Sequence, residues 1–207
     1  MNPILIDLPM PIITPRLLIR PPKISDCPSV NAAILESFET LHRYMAWANQ
    51  KPSLEDTEIY VRQAVANWIL RNNDEPYLPL FMFEKETNTF IGATGYHHMN
   101  WDIPSLETGY WIRDSFSGKG LMTEAVNALT RYAFEQVAVM RISITCDVDN
   151  LRSQKVAERL GYVLEGILKS NRRHPINNEI SSTMVYARYD MDNLPHLIVE
   201  WDNHEPI

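Results

Sequence analysis

"SFSGKGLMTEA", Ser115–Ala125, is the stretch on which the reading of this chain turns. Two glycines flank a lysine, an aromatic and apolar run (Leu106 to Ile112) precedes them, and helix formers follow. Gly118 and Gly120 let main-chain N–H groups approach an oxyanion with no Cβ in the way. The N-terminus of the following helix adds partial positive charge, so the loop suits a phosphate. Three phosphate loops compete. A Walker A loop needs G-x-x-x-x-G-K-[ST]; here Gly120 follows Lys119, so the hydroxyl that would hold magnesium is missing, and no glycine stands five before Gly118. The fingerprint G-x-G-x-x-G needs a third glycine where Thr123 stands, and no ribose-binding acid follows about twenty residues on. A third pattern, [QR]-x-x-G-x-[GA] between a strand and a helix, remains.

Outward from the loop, hydrophobic periodicity sets the elements. "RLLIRPP" (Arg16 to Pro22) reads as a strand stopped by prolines. Asp26 fits the N-cap of a helix running through about Phe38, and Ser53 that of a helix over Leu54 to Arg71. "YLPLFMFEK" and "FIGATGYHHM" read as strands joined by the turn "ETN". Ser105 to Arg113 is the next strand; the loop and a helix from about Leu121 to Val137 follow. Arg141 to Val148 alternates as a strand, and "NLRSQKVAERLGY" is a helix with Gly161 at its C′ position. "VLEGILK" and "STMVYARYDM" close the series, connected by "RRHPINNE". The order is α/β or α+β rather than doubly wound. Residues 1–190 read as one domain and 191–207 as a C-terminal tail.

Of the 207 residues, 45% are apolar and 22% charged, a globular balance. The net charge of -7 argues against direct nucleic-acid binding and is compatible with a cationic substrate. The N-terminal "MNPILIDLPMPIITPR" has no basic n-region and is broken by prolines, so it does not read as a signal peptide, and no run approaches the ~20 apolar residues of a membrane span. Cys27 and Cys146 give neither metal spacing nor a disulfide framework. A cytoplasmic monomer or homodimer with no membrane partner is expected. Cys146 sits in an apolar strand with no neighbouring histidine and reads as core. His97 and His98 suggest a metal, but adjacent strand residues face opposite ways, so no metal site is expected.

Taken with "ETGYWIR" before it and "DVDNLRSQKVAERLGYVLEG" after it, the loop resembles that of the GNAT superfamily of N-acetyltransferases, most of all the RimJ/RimL-like branch that acetylates ribosomal-protein N-termini. The resemblance covers roughly Arg16 to Asp190. It implies a GNAT fold: a central, mixed, mostly antiparallel sheet of about seven strands with four helices, splayed between the fourth and fifth strands. It implies acetyl-CoA as cofactor, its pyrophosphate held by Ser117, Gly118, Lys119, Gly120, Leu121 and Met122. Main-chain groups of Trp111, Ile112 and Arg113 would pair with the pantetheine arm, and Asn150 would anchor it from the other side. Ser115 departs from the pattern, standing where glutamine or arginine is usual.

Acetyl transfer to an amine needs a neutral amine, a stabilised oxyanion and a departing thiolate. Glu107 matches the family's acidic strand position; beside Trp111 it would be partly desolvated, with a raised pKa, as a base or water-orienting group, although a solvent-facing glutamate fits the pattern too. The tyrosine that many members use as acid is replaced by Ala157, and Ser153 matches the serine proposed for that role in the ribosomal branch. The glutamate that some ribosomal acetyltransferases carry after the "E-G" strand falls here at Arg172 or a neighbour. Tyr44 and Trp47, in "LHRYMAWANQKP", are the candidate acceptor contacts by family analogy, although a buried core role is the leading expectation for Trp47. An α-amine (pKa about 7.7–8.0) is far more often neutral at pH 7.5 than a lysine (about 10.4). A protein or peptide N-terminus, such as that of a ribosomal protein, is therefore the expected acceptor; a small cationic amine and a non-catalytic acyl-CoA sensor are the alternatives.

Overall fold

The computed structural model describes residues 3–71 and 77–201. Its strands are β1 (Ile12–Ile13), β2 (Leu17–Arg20), β3 (Leu78–Glu84), β4 (Thr89–Asn100), β5 (Ser105–Ile112), β6 (Arg141–Asp147), β7 (Val163–Arg173), β8 (Ile180–Arg188) and β9 (Glu200–Trp201). The α-helices are α1 (Cys27–Glu36), α2 (Phe38–Tyr44), α3 (Leu54–Leu70), α4 (Leu121–Glu135) and α5 (Leu151–Arg159). One sheet holds all these strands in the order β7-β8-β6-β5-β4-β3-β2-β1-β9. Only β5 and β6 pair in parallel; every other neighbour is antiparallel.

The expected elements are present, with three additions. The two-residue strands β1 and β9 pair with each other at one sheet edge, so the tail returns to the fold as far as Trp201, and Leu194 is buried. The first expected helix is two. Ser37, with φ −98° and ψ 9°, interrupts it, and Phe38 opens α2 instead of ending α1. The interruption serves the loop after β5: the buried Ser37 hydroxyl accepts the Asp114 N–H at 2.9 Å. Asp26 stands before α1 but does not cap it. Its carboxylate is held by Arg20 at 2.7 and 2.8 Å and by the Lys23 amide at 2.7 Å, a tertiary pairing that outcompetes the local bond. Ser53 does cap α3, in a reciprocal box with Asp56.

Apolar residues cover both faces of the sheet. Leu121, Val126, Leu129 and Tyr132 of α4 and Val156 and Leu160 around α5 pack on one face with Tyr96, Leu106 and Ile142. Val30, Ile34 and Val61 of α1 and α3 pack on the other with Phe81, Phe83 and Phe90. This fixes the sheet between two helical layers.

The feature that matters for function is a fault in the sheet. β5 and β6 pair only at Ser105–Arg141, Leu106–Ile142 and Glu107–Ser143, and then part. β5 stays paired to β4 as far as Ile112, and β6 to β8 as far as Asp147. Their facing edges are therefore left without strand partners across the gap.

Candidate active site

A cleft of about 1420 Å³ follows this gap. At one end is the loop between β5 and α4. Its first turn is closed by Phe116 N–H to Arg113 and Ser117 N–H to Asp114, so the Ser117 amide, expected to face a phosphate, is already taken. Gly118 and Gly120 both have φ of +76°, a left-handed conformation that other residues adopt at a cost. A Cβ added at Gly118 would meet nothing within 4 Å, and one at Gly120 only Arg16 Nη2 at 3.7 Å. The space beside both glycines is thus open. Among the described residues, no acceptor takes the N–H groups of Gly118, Lys119, Gly120, Leu121, Met122 or Thr123.

The loop is tied from behind. Arg16 donates to the Lys119 carbonyl at 2.9 Å and to Glu124 at 2.6 Å, and Thr14 donates to Glu124 at 2.7 Å. The Lys119 ammonium, expected at the pyrophosphate, lies 4.7 Å from the Phe116 ring centre and outside the cleft lining.

Along the gap, the Arg113 amide donates to Ile91 and the Gly109 carbonyl accepts from Thr94, so odd-numbered residues of β5 turn their main-chain groups toward β4. By the alternation of a strand, Tyr110 and Ile112 turn theirs to the gap. Of the residues expected to pair with the pantetheine arm, Trp111 and Arg113 turn their main-chain groups toward β4, and Ile112, with Tyr110, turns its own toward the gap. The Arg113 side chain is also engaged, in an ion pair with Glu36 at 2.6 Å. Across the gap, Asn150 caps α5 by accepting the Ser153 N–H at 3.2 Å. Its Nδ2 has no acceptor among the described residues.

Where the strands part, Glu107 points into the cleft with its side chain 16% exposed. Thr145 donates to its Oε1 at 2.5 Å, and His97 Nε2 lies 3.2 Å from the same oxygen. Burial pushes this carboxyl's pKa up, but the hydrogen bonds from His97 and Thr145 and the proximity of both histidines outweigh it, so the net shift is down. The raised pKa expected from the neighbouring Trp111 is thereby corrected. His98 corrects a second expectation. A register shift between His97 and Asn100, with His98 at φ +49°, breaks the strand alternation. His98 Nδ1 comes within 3.5 Å of Glu107 Oε2, so the adjacent histidines converge on one carboxylate.

On the opposite side of β5, Tyr110 hydroxyl and Ser153 Oγ are 2.9 Å apart. Burial pushes the pKa of the nearby Cys146 thiol up to about 11. Cys146 is thus the buried, protonated residue that its strand position predicts, although its edge reaches the cleft. Ala157, fully buried in α5, offers no hydroxyl.

The sequence model of the family described as "Acetyltransferase (GNAT) domain" matches residues 16–163, which span this whole constellation. The chain belongs to the GNAT acetyltransferases. It is 31% identical over 148 residues to the ribosomal-protein-serine acetyltransferase of Escherichia coli (strain K12), covering 72% of this chain and 78% of that protein. Among solved structures it resembles RimL, a ribosomal alpha-N-protein acetyltransferase in complex with coenzyme A (TM-score 0.76, 24% identity, 86% of this chain and 97% of that one). It also resembles the microcin C7 self-immunity acetyltransferase MccE in complex with acetyl-CoA and AMP (TM-score 0.76, 23% identity, 85% and 93%). Both structural likenesses are likenesses of fold.

In this GNAT chain the far wall of the cleft is aromatic. Tyr44 and Trp47 line it, and Trp47, 52% exposed, leans toward Trp111 with ring centres 6.3 Å apart, so it is not a core residue. Arg172 crosses from β7, donating to the Tyr44 carbonyl at 3.4 Å and pairing with the buried Asp147 at 3.3 Å. Sequence reasoning passed over His97, Thr145 and Tyr110 as site residues. Gly109 carried a signal for the first: an added Cβ would lie 2.9 Å from His97 Cε1, so the glycine makes room for that ring.

Among the described residues no helix is long and apolar enough to cross a membrane.

Proposed function

We propose that this GNAT enzyme transfers an acetyl group from acetyl-CoA to a primary amine, and specifically to the α-amine of a protein or peptide N-terminus, by direct attack in a ternary complex. One observation carries the reading: a gap between unpaired strand edges links a loop of free amides at one end with an ionised carboxylate at the other. Acetyl-CoA supplies the activated thioester. The loop fits its diphosphate, because six consecutive N–H groups from Gly118 to Thr123 lack acceptors among the described residues and the glycines leave the approach open. Tyr110 and Ile112 fit an extended arm along the gap, with Asn150 Nδ2 as a donor on the far side.

Glu107, held by Thr145 and His97, takes the proton that the attacking amine loses as the N–C bond forms. Because its carboxyl is shifted down, it is a weak base, better suited to an amine that is already largely neutral. That favours an α-amine over a lysine, and the relationship to a ribosomal-protein-serine acetyltransferase supports the same class. Ser153 donates a hydrogen bond toward the sulfur as the C–S bond breaks, its orientation set by Tyr110.

The test is thiol release and product mass on a panel of peptides with free N-termini, N-terminally blocked lysine peptides, polyamines and aminoglycosides. The reading predicts acetylation of free N-termini at the highest kcat/KM. Turnover confined to polyamines or aminoglycosides would overturn the acceptor class. Acetyl-CoA binding with no acetylated acceptor would leave a sensor in place of an enzyme.

A further inference from the structure

We infer that His97, His98 and Glu107 form a binding site for a zinc ion, or a divalent ion of similar preference, at the acceptor end of the cleft. Among the described residues this is the one cluster of histidine, cysteine and acidic side chains able to hold a metal, with ligand atoms all within 4.8 Å of one another. Two imidazoles and a carboxylate make up a donor set that zinc favours, at about 2.0–2.2 Å from each ligand. Tetrahedral geometry then places ligand atoms about 3.3 Å apart. The two histidine–carboxylate separations, 3.2 Å from His97 Nε2 to Glu107 Oε1 and 3.5 Å from His98 Nδ1 to Glu107 Oε2, lie near that value, and small side-chain adjustments within the 4.8 Å span of the set would bring one oxygen to both rings.

Three features fit a bound ion. Consecutive strand residues do not normally share a target; here a register shift and a left-handed His98 bring both rings to one carboxylate. His98 is otherwise little constrained, its side chain being 78% exposed. The carboxylate is braced from behind by Thr145 at 2.5 Å, the kind of outer hydrogen bond that orients a metal ligand. Binding through Nε2 leaves the His97 ring proton on Nδ1 and replaces the His97–Glu107 hydrogen bond. His97 and Glu107 line the cleft, so the remaining coordination position opens toward the acceptor. An ion held there occupies Glu107 and shuts off acetyl transfer without touching the phosphate loop. That consequence rests on the transferase reading; the binding itself does not.

The experiment titrates zinc chloride into chelator-stripped, cofactor-free protein, followed by calorimetry and by competition with a chromophoric chelator. The expected result is one zinc per chain. His98→Asn tolerates the left-handed backbone and should weaken binding at least about tenfold, the scale seen even for outer partners of metal ligands. In chelator-buffered solution the acetylation rate of each protein sets its own reference, measured by product mass because a thiol product itself chelates zinc. Added zinc should then inhibit the wild type and largely spare the variant. No saturable zinc binding, or equal affinity in wild type and His98→Asn, would overturn the site. Zinc binding that depends on His98 in a protein that acetylates no acceptor would uphold the site and overturn the transferase reading.

Discussion

The Tyr110 hydroxyl of β5 sits 2.9 Å from Ser153 Oγ at the first turn of α5, joining the two elements that flank the gap. Burial pushes the phenol's pKa well above its ordinary value, so it stays protonated and can donate to Ser153 Oγ. With the phenol as donor, the serine's own proton is left for an acceptor in the cleft. Ser153→Ala should lower kcat about 10- to 100-fold and Tyr110→Phe roughly three- to tenfold, with the acetyl-CoA Kd nearly unchanged in both. Steady-state kinetics with calorimetry checks this. Equal, full activity in both variants would remove the pair from the reaction.

Glu107→Gln keeps the shape of the side chain and removes its charge. Turnover should fall about 100-fold while acetyl-CoA binds within about twofold of wild type. Wild-type turnover in that variant would take Glu107 out of the mechanism.

Gly109→Ala tests the same group from a distance. The added methyl would meet His97 Cε1 at 2.9 Å and push the ring away from Glu107. Overpacking of this kind costs about 1–3 kcal/mol, so Tm should drop by several degrees and turnover should fall with it, again without loss of acetyl-CoA affinity. Unchanged turnover would mean that the placement of His97 does not matter to Glu107.

Cys146 offers a pH test. Its thiol, raised to about 11 by burial, carries little thiolate at neutral pH. Alkylation in the native protein should be slow at pH 7 and accelerate about tenfold per pH unit up to about pH 10. Incubation with acetyl-CoA should leave no acetyl group on Cys146 by peptide mass. A plateau in alkylation below pH 9, or an acetylated Cys146, would argue for an activated nucleophile.

What the sequence disclosed was local. The two-glycine loop, the Ser53 cap and Gly161, with φ +69° after α5, each rest on chemistry within a few residues and were legible as such. The site's second half depends on register between distant strands. His97 meets Glu107 through β4–β5 pairing, Thr145 meets it across β5–β6, and neither offset is written in one strand's alternation. The sign of the Glu107 shift failed for that reason: apolar neighbours in sequence signalled desolvation, while the compensating donors came from other strands. The convergence of His97 and His98 needed a bulge, which period-two reasoning excludes by construction. Asp26 was misassigned because Arg20, six residues back, offers a stronger bond than a helix end.

The grip on the diphosphate is the central claim, and Gly120→Val probes it. A side chain at φ +76° costs about 1–2 kcal/mol of stability and projects into the open space beside the amides. Acetyl-CoA affinity should fall more than about tenfold.

The most direct measurement is a crystal structure of this protein with coenzyme A. The account predicts diphosphate oxygens within hydrogen-bonding distance of the amides between Gly118 and Thr123, and the pantetheine arm lying between Ile112 and Asn150 with its sulfur near Ser153. A coenzyme bound elsewhere, or β5 and β6 drawn together with the gap closed, would contradict it.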